Sequence, residues 1–212
     1  MLNFRLRVQM DDPSPFALLR RRLSDQTQVL TKVAIILRRE FAENFLRQGR
    51  PSQWEALKPS TLAAKRMMLA EGDIRGRNPR TTRATSGPSA ALPGILIRTG
   101  LLRESYTHRG SEGNIHQVSD GRKLEVGSTV PYGRWHEEGT RGGKVIVPVK
   151  AKVLRWYGIR KDGTEGWCFA KRVVMKPLAR RKVLYVSPEG MDKIIAAYEQ
   201  HLAGEEGQEH GD

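Results

Sequence analysis

The sequence has very little cysteine and no long apolar run. Cys168 is the only cysteine among 212 residues, which excludes an internal disulfide and is typical of a chain kept in a reducing cytoplasm. Because the N-terminus lacks a long uncharged apolar run, we expect neither a secretory signal peptide nor a membrane-spanning segment. Apolar residues make up 38% of the chain, a low share for a fully compact domain, so one domain with extended loops is expected.

Catalytic signatures are missing as well. The sequence has no GxSxG elbow, Walker loop or GxGxxG motif after a strand, and its five histidines lack the spacing of metal ligands. Residues 136–140, HEEGT, begin like the HExxH helix of zinc proteases, but Thr140 replaces the second histidine and the flanking glycines disfavour a helix. A hydrolase would need a nucleophile or a metal. The sequence therefore predicts no enzyme, no cofactor and no metal site, and a structural role for His136.

Acidic residues are scarce relative to basic ones. The chain has 23 Asp and Glu against 37 Lys and Arg, which gives a formal net charge of +14 and a pI near 10.3. Residues 141–182 carry most of this charge, because they hold thirteen Lys or Arg and only Asp162 and Glu165, a net of +11. Such a polarised surface indicates an anionic partner, and nucleic acid is the leading candidate.

This basic stretch contains the pattern of a β-hairpin. Four short runs have strand composition, and residues 161–163, KDG, supply a turn between the second and the third. The four runs are residues 145–149, 153–157, 167–170 and 172–174. Aromatic side chains occupy both middle runs, so at least half of them are expected in the core, while the others are available to stack on bases.

Apolar spacing predicts three helices. In residues 24–47, apolar side chains recur at three- and four-residue steps after a capping Ser24 or Asp25, and Trp54 is expected to pack with this helix. A second helix is predicted over residues 60–69, and a third begins at Ser187. The third carries on one side Met191, Ile194, Ile195, Tyr198 and Leu202.

Three further runs have the pattern of strands. Residues 2–8 alternate apolar and polar side chains at period two, as a half-buried strand does. Residues 95–106 and 123–127 are apolar-rich and bounded by glycines, which predicts two antiparallel strands. Residues 101–105 also fit the start of a short helical turn, and that alternative stays open at this stage.

Two segments lack periodicity and are predicted to be irregular. Residues 71–94 concentrate Gly, Pro, Ser, Thr and Arg, so they are expected to form a long loop that either contacts phosphate or an acidic chain, or is merely a solvated insertion. Residues 204–212 are expected to be a disordered acidic tail. The remaining chain, residues 1–203, predicts one α+β domain: an antiparallel sheet packed against a long N-terminal helix and a C-terminal helix, with extended loops.

Five short blocks follow one another between residues 29 and 202. They are Phe41-x-x-x-Phe45-x-x-x-Gly49-Arg50-Pro51-x-x-Trp54-x-x-Leu57-x-x-x-Thr61-x-x-x-Lys65, Ile95-Leu96-Ile97-Arg98-Thr99-Gly100-Leu101-Leu102-x-x-Ser105, Val126-Gly127-Ser128-x-x-x-Tyr132-x-x-x-His136-x-x-Gly139-Thr140, Val147-Pro148 with Lys152-x-Leu154-x-Trp156, and Pro177-Leu178-Ala179-Arg180 ahead of Leu184-x-x-Ser187. In this order, the blocks resemble the virion morphogenesis and tail-completion proteins of long-tailed bacteriophages.

The resemblance implies a function and a location. It implies a non-enzymatic structural protein that assembles as a ring, with six-fold symmetry favoured, at the head–tail junction of the virion. There the ring completes the neck or the tail beside head-completion and tail-tube or terminator proteins, so that head and tail join and DNA passes through. The subunits are expected to be made in the host cytoplasm and to have no contact with a membrane.

In such a ring every copy presents the same surface to its neighbour, so residues that cluster at one turn are candidates for the interface. Gly139 is expected to provide a positive φ or a close backbone approach at this turn. Two arginines are expected to pair bidentately with carboxylates of neighbouring subunits or rings. The candidate interface residues are Tyr132, His136, Glu137, Gly139, Arg180 and Arg181.

The basic hairpin is the candidate contact with DNA. Arg160, Lys161 and Lys171 are expected at or near its tip, exposed toward the channel. A monomeric nucleic-acid-binding module that uses the same stretch is the alternative interpretation. Duplex binding by a monomer with a steep salt dependence would favour that alternative.

Overall fold

The computed structural model describes residues 15–70 and 94–204. Within them the chain forms helices and short antiparallel strands, which confirms the predicted α+β class. In chain order these elements are α1 (Pro15–Ser24), α2 (Thr27–Leu46), α3 (Pro59–Ala70), α4 (Leu101–Thr107), β1 (Asn114–Ser119), β2 (Lys123–Ser128), α5 (Gly133–Glu138), β3 (Val145–Ile146), β4 (Leu154–Ile159), β5 (Glu165–Ala170), β6 (Val173–Val174) and α6 (Pro188–Ala203). The expected strand at 2–8, the loop through residue 93 and the tail after Gly204 lie outside the described residues.

The first predicted helix, expected over residues 24–47, is confirmed as α2 with a later start. α2 begins at Thr27, because Asp25 Oδ1 accepts hydrogen bonds from Thr27 N at 3.0 Å and Thr27 Oγ1 at 2.6 Å, and the residues before Asp25 form α1. Gln26 stands at the N-cap and makes no side-chain cap. α2 ends where Gln48 and Gly49 both adopt positive φ. Asp25 is the predicted N-cap, but its carboxylate accepts hydrogen bonds from Thr27, the first helical residue, instead of from an amide later in the first turn.

Two hydrophobic clusters meet along α2. In the larger cluster the Phe45 ring lies edge-on to Trp54, with centroids 5.7 Å apart, which confirms the predicted packing of the tryptophan on this helix. The buried members of this cluster are Phe41, Phe45, Trp54, Leu102, Tyr106, Val130 and Val183. The smaller cluster joins α2 to α6 through Val29, Val33 and Ala197. The apolar side chains of α2 thus provide the surface against which both α4 and α6 pack.

The predicted strand at 95–106 is wrong, and the alternative of a helical turn is correct. Gly100, with φ +87°, precedes α4, in which Leu102 and Tyr106 lie one turn apart and are buried against α2.

The partner of β2 is β1, with His116 opposite Val126. The sequence predicts no strand there, because the β1 side chains are mostly polar. The strands form three separate two-stranded sheets within the described residues, β1–β2, β3–β6 and β4–β5, instead of the single expected sheet.

A buried polar network fastens the segment before α6 to α2. Glu40 Oε2 accepts hydrogen bonds from Ser187 N and from Arg50 Nη2, both at 2.9 Å. Asn44 Nδ2 donates to Val183 O at 2.7 Å and to Tyr185 O at 2.9 Å. Ser187 also caps α6, since its Oγ accepts a hydrogen bond from Gly190 N at 3.0 Å, and this confirms the predicted start of the third helix. The network thus binds residues 183–187, which lead into α6, to α2.

Candidate functional site

The turn predicted as the subunit interface is a short helix, α5. Gly133 does not prevent a helix, since it is the first residue of α5 and is buried, but α5 ends at Glu138, so the expected absence of a helix through residues 136–140 is confirmed. A Cβ at Gly133 would lie 3.1 Å from Tyr106 Oη and 3.2 Å from Leu102 Cδ1, so the glycine permits α5 to approach α4 closely. Tyr132 lies 37% exposed at the N-cap, with its ring edge-on to His136.

Glu137 binds the backbone of a segment that follows much later in the chain. Glu137 Oε2 accepts hydrogen bonds from Val183 N at 2.7 Å and from Leu184 N at 3.3 Å. In return, Arg180 Nε donates to Glu137 O at 2.9 Å, and Arg181 N donates to His136 O at 2.7 Å. We call this pairing of residues 136–140 with residues 178–184 the clasp. Four of the predicted interface residues, all but Tyr132 and Gly139, thus bond to each other inside one subunit.

Arg181 occupies a different position from the one expected. Its residue surface is only 7% exposed, and Arg181 Nη2 donates to Glu55 O at 3.1 Å. Within the described residues, Arg181 Nε and His136 Nδ1 are buried without a hydrogen-bond partner. This burial corrects the prediction that Arg181 reaches a carboxylate of a neighbouring subunit. Arg180 is exposed and keeps part of its guanidinium free for such a contact.

Gly139 is needed by the fold of the subunit itself. Its φ is +73° and its ψ is 179°, a conformation that side chains avoid, and a Cβ there would lie 2.9 Å from Leu178 O. We expect Gly139→Ala to lower the free energy of unfolding by about 2–3 kcal/mol, from backbone strain and this clash. Gly143→Ala is the matched control, since Gly143 has φ +80° but no atom within 4 Å of an added Cβ, and it should cost only about 1 kcal/mol. Equal losses in urea titrations would contradict the clasp contact.

Burial of His136 makes the stability depend on pH. Burial lowers the pKa of His136 below its ordinary 6.5, and the charge of Arg181 lowers it further. His136 is therefore protonated near pH 6.5 in the unfolded chain but stays neutral at this pH in the folded chain. The free energy of unfolding falls as the pH drops below this value. We expect His136→Gln to reduce the slope of unfolding free energy between pH 7 and 5, by at most about 1.4 kcal/mol per pH unit. An unchanged slope in urea titrations would show that His136 titrates normally.

The basic β-hairpin is confirmed, and its two ends are far apart. β4 pairs with β5 from Leu154 opposite Ala170 to Ile159 opposite Glu165. Arg160 and Lys161 lie at the turn and are exposed, as expected. Lys171 is also exposed, but it follows the last residue of β5 and so lies at the opposite end, about 17–20 Å from the tip for a six-residue strand. Lys171 is therefore not a tip residue.

One face of the hairpin combines aromatic rings with a guanidinium. Tyr157 and Trp167 lie opposite each other with centroids 5.6 Å apart, and the Arg155 guanidinium carbon stands 4.0 Å from the Trp167 ring centroid. α3 packs near the other face, where Gly158 approaches Ser60. Several hairpin aromatics stay accessible, with exposed fractions of 39% for Trp156, 36% for Trp167 and 60% for Phe169. The hairpin is thus a cationic surface with accessible rings.

A second ribbon exposes aliphatic side chains. We call residues 141–153 and 171–177 the arm; it contains β3 and β6, which pair over only two residues each. The Thr140–Leu178 bridge joins the arm to the clasp, with N–O distances of 3.0 and 3.1 Å. Its exposed apolar residues are Val145 (52%), Ile146 (39%), Val147 (56%), Val149 (93%), Val174 (55%) and Met175 (40%). Sequence patterning predicts strands here but not this exposure, since among the described elements β3 and β6 pack chiefly on each other.

Comparison with known proteins adds no relative. No family model, curated protein or solved structure matches the chain. In the part of the chain that the structure describes, no group of three or more His, Cys, Asp or Glu side chains is placed to hold a metal ion. None of the described helices is long and apolar enough to cross a membrane. The surfaces described above, the clasp, the hairpin and the arm, are the candidate functional surfaces.

Proposed function

We propose that the chain is a non-enzymatic structural protein of the virion of a long-tailed bacteriophage. It assembles as a ring, with six-fold symmetry favoured, at the head–tail junction, where it completes the neck or the tail. Its neighbours are head-completion proteins and tail-tube or tail-terminator proteins, and genomic DNA passes through the channel. The resemblance of five ordered sequence blocks supports the family, and the exposed surfaces of the subunit support assembly.

The arm is the observation that carries this proposal. A ribbon of two residue pairs is marginal in water by itself, and the arm also leaves six aliphatic side chains exposed. Contiguous apolar exposure of this kind marks a surface that another protein covers. Since most soluble oligomers contain identical subunits, a neighbouring copy is the simplest cover. Cover by a neighbouring copy would therefore stabilise the arm.

The charge of the hairpin suits a ring that surrounds DNA. Arg160 and Lys161 are exposed at its tip, and a ring repeats these charges around its channel. Positive charges near the path of DNA offset the repulsion between phosphates, while mobile side chains avoid tight trapping. We therefore assign the tip to the channel and the arm to the contact between subunits.

A monomeric nucleic-acid-binding module is the second candidate, and the aromatic face of the hairpin favours it. Arg155 over Trp167, with Phe169 exposed beside them, offers rings and charge for base stacking. This candidate predicts duplex or single-strand binding by a monomer, with affinity that falls about linearly in log–log plots against salt. Purified protein that stays monomeric and binds in this way would favour the module over the ring.

A joining assay tests the proposed function. Filled heads and finished tails from a phage that lacks this chain should remain separate, and the purified protein should join them into infectious particles. Val147→Asp should fold, because Val147 is 56% exposed, yet join at least about tenfold less because a carboxylate enters an apolar contact. Gln117→Asp, at an exposed position of β1, is the control and should join normally. Normal joining without the protein would overturn the proposal.

A further inference from the structure

We infer that the arm of one copy docks on an exposed apolar stripe of α6 in the next copy. This inference rests on the proposed ring and adds the two surfaces that meet in it. The stripe consists of Met191, Ile195 and Leu202, which we call the α6 stripe. The arm and the α6 stripe fit each other in apolar character and in charge.

The α6 stripe lies beside the face that packs on the body of the subunit. α6 buries Ala197 and His201 and packs Ile194 against α2, as its helical spacing requires. Met191, Ile195 and Leu202 are four and seven residues apart, so they project together on another side. Their exposed fractions are 48%, 49% and 37%. The sequence pattern places all five apolar residues of α6 on one side, but the structure uses only part of that side for the core.

Carboxylates border the α6 stripe. Asp192 and Glu199 are exposed, and their helical positions lie next to Ile195 on the side away from the core. Lys193 points elsewhere, since it lines a groove between α2 and α6 together with Lys32. In the described part of the chain neither Asp192 nor Glu199 forms an ion pair. The stripe is therefore an apolar surface with unpaired negative charge on its edge.

The arm has the opposite charge. It contains no Asp or Glu in residues 141–153 or 171–177, and seven exposed cations accompany its aliphatic side chains. None of these cations forms an ion pair within the described residues. They are Arg141, Lys144, Lys150, Lys152, Lys171, Arg172 and Lys176. Aliphatic contact in the centre with complementary charges at the rim is the usual composition of a specific protein interface.

The pairing also accounts for a closed assembly. The arm and the α6 stripe are different surfaces of the same chain, so each copy offers one to its neighbour on one side and the other to its neighbour on the opposite side. Such a heterologous contact generates a ring when the rotation closes. Two copies docked arm to arm would instead use one surface twice, and would bring the seven cations of each arm together.

Charge exchange between the two surfaces tests this inference. Lys144→Glu with Lys176→Glu reverses the charge at two positions of the arm, beside β3 and β6, and lowers its formal net charge from +7 to +3. Asp192→Lys with Glu199→Lys reverses the charge on the border of the α6 stripe. Each double variant alone should keep the melting temperature of the dissociated subunit, measured on dilute protein, but lose at least about 100-fold in association affinity, because like charges then face each other at the changed positions. An equimolar mixture of the two should form rings again, since arm and stripe then alternate in sign, and a chain with all four changes should form rings by itself.

The outcomes separate this inference from the proposed function. If the unchanged protein forms rings and both double variants form them equally well, the docking of the arm on α6 is overturned while the ring stands. If each variant is monomeric and neither the mixture nor the fourfold variant recovers, the two surfaces do not meet each other, and the inference is also overturned. If the unchanged protein is itself monomeric at every concentration, the proposed ring fails, and the docking fails with it.

Discussion

Replacing Phe45 by alanine is expected to lower the free energy of unfolding by about 3–5 kcal/mol. Phe45 is 1% exposed and lies where the Trp54 and Tyr106 rings meet α2, with centroids 5.7 and 6.4 Å away. Removing the ring takes away buried apolar area and leaves a cavity that its aromatic neighbours cannot fill without moving. Urea titration followed by tryptophan fluorescence measures the loss, since Trp54 lies in this cluster and contributes to the signal together with the three other tryptophans.

Leu46→Ala is the matched control for this substitution. Leu46 is the next residue of the same helix, but its side chain is 76% exposed. Replacing either Leu or Phe by Ala changes the helix propensity only slightly. The two variants therefore differ mainly in how deeply the removed side chain is buried. Leu46→Ala should change the stability of the subunit by less than about 0.5 kcal/mol. Similar losses in both variants would contradict the position of the larger cluster along α2.

Glu40→Ala is expected to cost about 3–5 kcal/mol, because it leaves a buried cation without its partner. The side chains of Glu40 and Arg50 are each 12% exposed, and Arg50 Nη2 lies 2.9 Å from Glu40 Oε2. The change also deprives Ser187 N, at the start of α6, of its acceptor. The loss should appear in urea titrations together with reduced helix content, since the segment before α6 is held by this carboxylate.

Glu43→Ala is the control for the ion pair. Glu43 pairs with Arg47 at 2.6 Å on the same helix, but the two side chains are 33% and 65% exposed. An exposed pair of this spacing contributes about 0.3–0.5 kcal/mol, so the control should be nearly neutral. A loss of less than about 1 kcal/mol in Glu40→Ala would show that the buried network contributes no more than a surface pair.

The network also predicts a loss of stability in acid. Burial by itself raises the pKa of Glu40, but hydrogen bonds from Ser187 and the charge of Arg50 outweigh burial and leave the pKa below its ordinary 4.5. The unfolded chain therefore binds this proton first as the pH falls. Stability from Glu40 is fully present above the unfolded pKa and is lost as the pH falls through the lower folded value. Glu40→Gln should reduce the dependence of the unfolding free energy on pH in this acidic range.

The long helices could be predicted from the sequence, because their apolar spacing fits only one kind of element. The apolar side chains follow three- and four-residue steps over more than four turns, at Val29, Val33, Ile36, Leu37, Phe41 and Phe45. The run at 95–106 fits both a strand and a helix, and packing of Leu102 and Tyr106 on α2 decides for the helix. Local patterns carry no information on such distant contacts, so the choice stays open in the sequence.

The candidate interface was located by the sequence only as a cluster, and its internal bonds could not be predicted. Glu137 reaches Val183 N, 46 residues away, and Glu40 reaches Ser187 N, 147 residues away. A polar residue that serves a neighbouring subunit and one that serves a distant backbone group have the same local sequence. Burial distinguishes them, and it assigns Arg181 to the inside of the subunit while leaving Arg180 exposed.

The mass of the purified full-length protein in solution, measured by light scattering over a dilution series, tests the ring most directly. We expect the ring to appear as a dominant closed species of about six subunits of 23.9 kDa at high concentration, which dissociates on dilution without unfolding. Images of this species should show a ring with a central channel. A monomer of 23.9 kDa at every concentration, which nevertheless binds duplex DNA with a steep salt dependence, would contradict it.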